Sequence, residues 1–249
     1  MTFQNSPRHV LPAALIILGA AILSFALPFS GAQESSTPAS KRNARPEQPA
    51  PPTVNQTVGN EVRYSYEFTQ PQFFIHHLVV EHDGNGNGKI TFEKLGEDGS
   101  VVEPIELSAP ALARITGLWQ ALSFLDSDTN YQSSKQFPHL GTMRLRMEQG
   151  TRNRTAEFNW THNESAAALV NEYRHIADQA ILVFDISVAR ENQPLNAPKL
   201  MEQLESLLKR GGLSDAQQLV PLLNEISTDE HVPLIARNHA KRLLKQILK

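Results

Sequence analysis

Four segments after residue 60 carry strand patterns. In the first, VRYSYEF, apolar and polar residues alternate with a period of two, which is typical of a half-buried strand. The second, FFIHHLVVEH at 73–82, is more continuously apolar and predicts a central strand. The third and fourth are KITFEKL (89–95) and VVEPIEL (101–107), and clusters of Asp, Asn and Gly separate the segments as hairpin signals. Pro104 cannot donate a ladder hydrogen bond, so the fourth strand is predicted to lie at an edge or to break there.

Helical spacing and a second hairpin come next. Ser108 is predicted to cap a helix in which apolar positions recur every three or four residues: Leu112, Ile115, Trp119 and Leu122. A polar loop at 126–141 then leads to two alternating strands with Gly150 at their turn. The inward positions are predicted to be Met143, Leu145 and Met147 on one strand and Ala156, Phe158 and Trp160 on the other.

A long helix and a helical tail complete the pattern. Asn163 is predicted to cap a helix that runs to about Arg190, with a buried stripe of Leu169, Tyr173, Ile176, Ala180 and Phe184. After the break NQPLNAP, amphipathic spacing predicts three more helices, at about 198–210, 214–226 and 231–248. Gly211 and Gly212 end the first of them, and Ser214 or Asp215 caps the second.

The order of these elements predicts the fold class. Strands, a helix, a hairpin and a helix in succession are typical of an α+β domain, here an antiparallel sheet with two packed helices. We place this domain at 61–192 and a C-terminal helical cap at 193–249.

The N-terminus has the pattern of an export signal. Arg8 precedes an apolar run from Val10 to about Leu27, and Ser30 and Ala32 are small residues suited to a cleavage site. The run is also close to the roughly 20 apolar residues that span a bilayer. Residues 1–32 are therefore predicted to be either a cleaved signal peptide or a single-pass membrane anchor formed by residues 10–29. Both alternatives place the rest of the chain outside the cytoplasm, in a periplasmic or secreted location of bacterial type.

Composition narrows the classes of function. Residues 33–60 are rich in Pro, Ser, Gln and Asn and predict a disordered linker. The net charge is −3 with no block of like charges, which argues against a nucleic-acid-binding protein. On the second hairpin, Arg144 and Arg146 are predicted to face the same side as Glu157, a cross-strand pairing. The chain has no cysteine, which excludes disulfides, zinc–thiolate sites and thiol nucleophiles.

The segment DGNGNG resembles the start of a twelve-residue calcium loop. Oxygen ligands fall at its first, third and fifth positions, which are Asp83, Asn85 and Asn87. Gly88 and Ile90 also fit, but the twelfth position, which requires a bidentate Glu, is Lys94. The favoured interpretation is a hairpin turn between strands. Calcium binding by Asp83, Asn85 and Asn87 is the alternative.

No catalytic motif stands out. His76 and His77 are adjacent in a strand and are predicted to face opposite ways, while His76 and His82 share a face but lie roughly 20 Å apart along it. Satisfied structural or surface histidines are the favoured interpretation. The alternative is a metal-dependent hydrolase assembled from distant residues: His76, His82, Asp83, Asp126, Asp128 and His139.

Two resemblances bear on architecture. The tail DEHVPLIARNHAKRLLKQI resembles the second helix of a HEAT-type repeat with its lead-in turn, in the residues Asp229, Pro233, Ile235, Arg237, Ala240 and Leu243. The resemblance implies that the Arg and Asp connect turns and that the apolar residues stack on a neighbour. The middle of the chain, from KITFEKLGEDGS to the final helix, resembles small bacterial exported domains of unknown function, which imply no active site.

These patterns together predict an exported, non-enzymatic binding protein. Its expected partner is a protein or a component of the cell envelope, and no cofactor other than calcium is suggested. Whether the chain is an enzyme stays open at this point, with the preference against it.

Overall fold

A computed structural model of the protein describes residues 61–249. The predicted signal or anchor at 1–32 and the predicted linker at 33–60 lie outside the described residues. Within the described part, no helix is long and apolar enough to cross a membrane.

One six-stranded antiparallel sheet forms the centre of the fold, with the strand order β4-β3-β2-β1-β5-β6. The strands are β1 (Val62–Thr69), β2 (Ile75–Asp83), β3 (Asn87–Lys94), β4 (Val101–Glu106), β5 (Thr142–Gln149) and β6 (Arg152–Phe158). β1 lies between β2 and β5, and its alternation buries Tyr64, Tyr66 and Phe68 on one face and leaves the intervening polar residues on the other.

Five helices accompany the sheet: α1 (Ala109–Ala121), α2 (Glu164–Asn192), α3 (Ala197–Lys209), α4 (Val220–Thr228) and α5 (Leu234–Ile247). The predicted α+β class is therefore confirmed, with a helical C-terminal part. Side-chain oxygens cap α1, α2 and the short 3₁₀ turn that leads into α4, as expected from sequence, because each accepts a bond from a free backbone N–H. Helices α3 and α5 begin without a side-chain cap. Asn163 Oδ1 accepts from the N–H of Ala166 at 2.9 Å, and Asp215 Oδ1 accepts from that of Gln217 at 2.9 Å.

Both edges of the sheet are protected from further pairing. Pro104 lies in the edge strand β4, as predicted, in register with Lys89 of β3. At the other edge, the loop before β5 covers the end of β6 through Gln132. The Asn159 N–H donates to Gln132 Oε1 at 2.9 Å, and Gln132 Nε2 donates back to Asn159 Oδ1 at 3.1 Å.

Helix α2 belongs to two hydrophobic cores. Its first half buries Leu169, Tyr173 and Ile176 against the sheet and α1. Its second half buries Leu182 and Ile186 against α3, α4 and α5. A 29-residue helix is long enough to do both, since it extends roughly 44 Å at 1.5 Å per residue.

The helical part differs in detail from the HEAT-type expectation. Asp229 binds Arg190 of α2, with Nε to Oδ2 at 2.6 Å, whereas Arg237 forms no ion pair with any described residue. Ala240 is buried as expected, but Ile235 is 67% exposed. Asp229 therefore connects the α4–α5 turn to the end of α2.

Candidate functional site

A mostly apolar cleft of about 840 Å³ lies beside α2. It lies between the first half of α2 and the end of the sheet where β1 meets β2 and β6 ends. This size is within the range of small-molecule sites, roughly 300–1,000 Å³. Apolar side chains from the sheet and the helix form most of its lining, including Phe68, Leu78, Met143, Val170 and Ile181.

Three large aromatic side chains surround this cleft and remain open to water. Phe73 is 45% exposed, Phe74 61% and Trp160 42%. Two sequence-based predictions were wrong here. Phe73 and Phe74 lie in the β1–β2 connection because β2 begins only at Ile75, and Trp160 is not buried because β6 ends at Phe158.

Hydrogen bonds hold the connection that carries these aromatic residues. The buried side chain of Gln70 donates from Nε2 to the carbonyls of Pro138 and His139, at 3.1 and 2.9 Å. On the opposite side, the Ser133 N–H donates to the Trp160 carbonyl at 2.8 Å. The exposed aromatic groups are therefore attached to anchored backbone.

Only two of the described residues lining the cleft are charged, Arg174 and Asp178, one helical turn apart on α2. Arg174 Nη2 lies 3.6 Å from Met143 Sδ, and its guanidinium lies 5.8 Å from the ring centroid of Phe68. Among the described residues it has no carboxylate within 4.0 Å, whereas Asp178 lies 3.8 Å from Arg210. Partial burial raises the pKa of Asp178, and the nearby Arg210, His175 and Arg174 oppose that rise.

A buried hydroxyl belongs to the same site. Tyr66 is fully buried and lines the cleft, and its hydroxyl donates no hydrogen bond to any described residue. Burial raises the pKa of Tyr66, while the charge of Arg174 and a weak hydrogen bond from its guanidinium lower it, so the Tyr66 oxygen faces a donor but its O–H has no acceptor within residues 61–249. A buried donor without an acceptor is uncommon in proteins and is often completed by a bound group.

A second polar cluster is internally complete and has a structural role. His82 is 3% exposed, and its Nδ1 donates to the Asp83 carbonyl at 2.8 Å. Its Nε2 therefore accepts from the Tyr173 hydroxyl at 2.9 Å, which in turn accepts from Trp119 Nε1 at 3.0 Å. Burial lowers the pKa of His82, so the ring is neutral and stays available as an acceptor.

His76 and His77 belong to a row of ionisable side chains on the opposite, open face of the sheet. His76 and His77 were predicted to face opposite ways, but both reach Glu93, with Nε2 to Oε2 at 3.1 Å and Nδ1 to Oε1 at 3.3 Å. The reason is a register shift between Ile75 and His77, where the β2–β3 pairing skips one residue. A bulge of this kind interrupts the alternation that sequence reasoning assumed.

The row continues across the sheet through opposite charges. Glu67 accepts from His77 Nε2 at 3.3 Å and from Arg144 Nη1 at 2.8 Å. Arg144 also binds Glu157 at 2.8 Å, as predicted, while Arg146 instead binds Glu148 on its own strand. The charges of this face therefore neutralise one another in pairs.

The DGNGNG segment forms the β2–β3 hairpin turn. Asp83 Oδ1 accepts from the N–H groups of Asn85 and Asn87, at 2.8 and 2.9 Å. Desolvation raises the pKa of Asp83, but these backbone donors outweigh it and lower the pKa overall. Gly86 has a positive φ of 88°, and a Cβ on Gly88 would lie 1.9 Å from the Glu81 carbonyl oxygen. The turn geometry thus accounts for both glycines.

The remaining catalytic candidates are scattered. Asp126 binds Arg152, and Asp128 and His139 are exposed. Across residues 61–249, no group of three or more His, Asp or Glu side chains has the spacing of a metal site. The sequence analysis did not predict the aromatic cleft. The adjacent pair Phe73 and Phe74, shortly before His76 and His77, was the signal in the sequence that could have indicated it.

Neither a family model nor a curated protein matches the chain.

Proposed function

We propose that this protein is a non-enzymatic, extracytoplasmic binding protein that holds an apolar ligand in the cleft beside α2. The observation that carries the proposal is the exposure of Phe73, Phe74 and Trp160 around one concave surface. Keeping apolar area in water costs roughly 25 cal/mol per Å², and a bound apolar molecule removes that cost. Exposed aromatic groups gathered around a cavity are typical of a ligand site.

The polar groups of the cleft support binding rather than catalysis. Of the described residues lining it, none is a histidine, and the hydroxyls of Tyr66 and Thr161 are not hydrogen-bonded to any carboxylate. A nucleophile needs a base within hydrogen-bond reach, and neither hydroxyl is hydrogen-bonded to Asp178, the carboxylate among the described residues of the cleft. The export pattern at residues 1–32 supports a role outside the cytoplasm, where components of the cell envelope supply apolar ligands.

Two matched variants of the full chain test this proposal. Ala167 and Ala168 are both exposed on α2, but only Ala167 lines the cleft. A phenylalanine at 167 fills the cleft, while one at 168 points elsewhere at the same cost in helix propensity. The readout is fluorescence of the neutral probe N-phenyl-1-naphthylamine, which brightens in apolar sites.

We expect saturable brightening with the wild-type chain and with Ala168→Phe, and a loss of at least about tenfold in affinity with Ala167→Phe. Both variants keep the apolar run at 10–27, so any probe bound there contributes equally to the two. Equal affinity of the two variants would exclude the cleft as the binding site.

A further inference from the structure

We infer that the ligand is a single-chain amphiphile whose carboxylate head binds Arg174. This inference rests on the proposed function, because it assigns the chemistry of the molecule that occupies the same cleft. The ligand class is a free long-chain monocarboxylate, with its chain against the apolar lining and the aromatic rim.

Arg174 is the first reason. A guanidinium is always charged, and its planar fork of N–H donors matches the two oxygens of a carboxylate. Arg174 is exposed, and its neighbours in the protein are the Met143 thioether, the Phe68 ring and the Tyr66 hydroxyl, none of which is an anion. Among the described residues, no carboxylate forms an ion pair with Arg174. A carboxylate ligand that entered the cleft would therefore be its ion-pair partner.

The surroundings of Arg174 select a single negative charge. Asp178 lies one helical turn away and also lines the cleft, although its carboxylate is oriented within 3.8 Å of Arg210. One guanidinium beside a carboxyl group favours a monoanion over a dianion such as a phosphate monoester, because the second charge would be opposed by Asp178. A carboxylate fits this balance.

The buried hydroxyl of Tyr66 is the second reason. It lies beside Arg174, which can only donate to it, so the Tyr66 O–H itself has no acceptor among the described residues. A carboxylate has about four acceptor positions, so it accepts from the guanidinium and still has capacity for a hydroxyl donor. An alcohol or an amine head offers less to this pair, and an amine is repelled by Arg174.

The apolar part of the site requires a chain rather than a compact ion. Val170 and Ile181 come from α2, Leu140 from the loop before β5 and Met143 from β5, and the rim adds three exposed aromatic rings. A small carboxylate such as acetate would leave this surface in water. The affinity is therefore expected to rise with chain length.

The test compares ligands of one chain length and different heads. Dodecanoate, dodecanol and dodecylamine displace N-phenyl-1-naphthylamine from the full-length wild-type chain and from Arg174→Gln, Arg174→Lys and Tyr66→Phe at neutral pH. We expect the wild type to bind dodecanoate about tenfold more tightly than dodecanol, the ratio given by one charge-assisted hydrogen-bonded pair. Arg174→Gln should remove this ratio, Arg174→Lys should keep part of it, and Tyr66→Phe should reduce it.

The outcomes separate the two proposals. If dodecanol and dodecanoate bind equally well to the wild type, or if Arg174→Gln keeps the preference, the carboxylate inference is wrong and the apolar-ligand proposal stands. If no ligand displaces the probe from a site sensitive to Ala167→Phe, the proposed function fails as well. Circular dichroism melting curves of each variant show whether a loss of binding comes from a loss of fold.

Discussion

Tyr66 and Tyr173 stack in the core with ring centroids 5.3 Å apart and planes only 8° from parallel, yet only one of the two hydroxyls donates a hydrogen bond to a described residue. The Tyr173 hydroxyl joins His82 to Trp119, whereas the Tyr66 hydroxyl has no acceptor among the described residues. Two tyrosines of one layer thus differ in role. The Tyr173 hydroxyl supports the structure on the α1 side, whereas the Tyr66 hydroxyl can still donate a hydrogen bond beside the cleft.

This pair gives the first prediction. Tyr66→Phe removes a buried O–H that has no acceptor among the described residues, so we expect the free energy of unfolding to stay the same or to rise. Tyr173→Phe removes two hydrogen bonds and leaves His82 Nε2 and Trp119 Nε1 without a partner, which should cost about 1–3 kcal/mol. Chemical denaturation of both variants measures the difference. A larger loss for Tyr66→Phe than for Tyr173→Phe would mean that the Tyr66 hydroxyl has a partner in solution.

The second prediction concerns pH and His82. Burial lowers the pKa of His82 in the folded state, so the unfolded chain binds a proton that the folded chain does not. The stabilisation by His82 is therefore complete above the unfolded pKa of about 6.5 and is lost as the pH falls towards the lower folded value. We expect the melting temperature to fall between pH 7.5 and 5. Because other groups titrate too, the control is His82→Gln, which should be less stable at pH 7.5 and show a smaller fall.

The third prediction concerns the glycines of the β2–β3 turn. A Cβ on Gly88 would lie 1.9 Å from a backbone oxygen, whereas a Cβ on Gly84 meets nothing within 4 Å. We expect Gly88→Ala to cost about 1–3 kcal/mol through a forced backbone shift. Gly84→Ala should change the free energy of unfolding by less than about 0.5 kcal/mol. Urea unfolding curves of the two variants decide this, and equal stabilities would contradict the hairpin geometry.

The fourth prediction concerns calcium at the same turn. Asp83 Oδ1 already accepts two backbone N–H groups, and Lys94, at the twelfth position of the supposed loop, binds Asp185 at 2.5 Å. We therefore expect no heat in a calorimetric calcium titration and equal melting temperatures in calcium and in chelator. A melting temperature raised by calcium in the wild type, but not in Asp83→Asn, would instead establish Asp83, Asn85 and Asn87 as a cation site.

The fifth prediction concerns the charge beside Arg174. Asp178→Asn removes a carboxyl group that opposes an anionic head, so dodecanoate should bind several-fold more tightly while dodecanol is unaffected. The measurement is the same probe displacement. A gain for both ligands would show that Asp178 acts on the shape of the cleft and not on its charge.

The sequence by itself determined the class of fold and most of its elements. The period of two in β1, the caps at Ser108, Asn163 and Asp215, and Pro104 at the edge all depend on short-range geometry, which local residues specify. The DGNGNG segment was likewise correctly predicted to be a hairpin turn, because a turn is a local structure.

The tertiary structure alone decided where the candidate site lies. Phe73, Phe74 and Trp160 are of residue types that usually lie in a core. They are exposed because β2 begins at Ile75 and β6 ends at Phe158, so all three lie outside the strands. The register shift that turns His76 and His77 towards Glu93 depends on pairing with β3 in the same way. Arg174 and Tyr66 are 108 residues apart along the chain and meet only because α2 packs on β1. Local patterns specify elements, whereas a site depends on which elements touch, and that is a property of long-range packing.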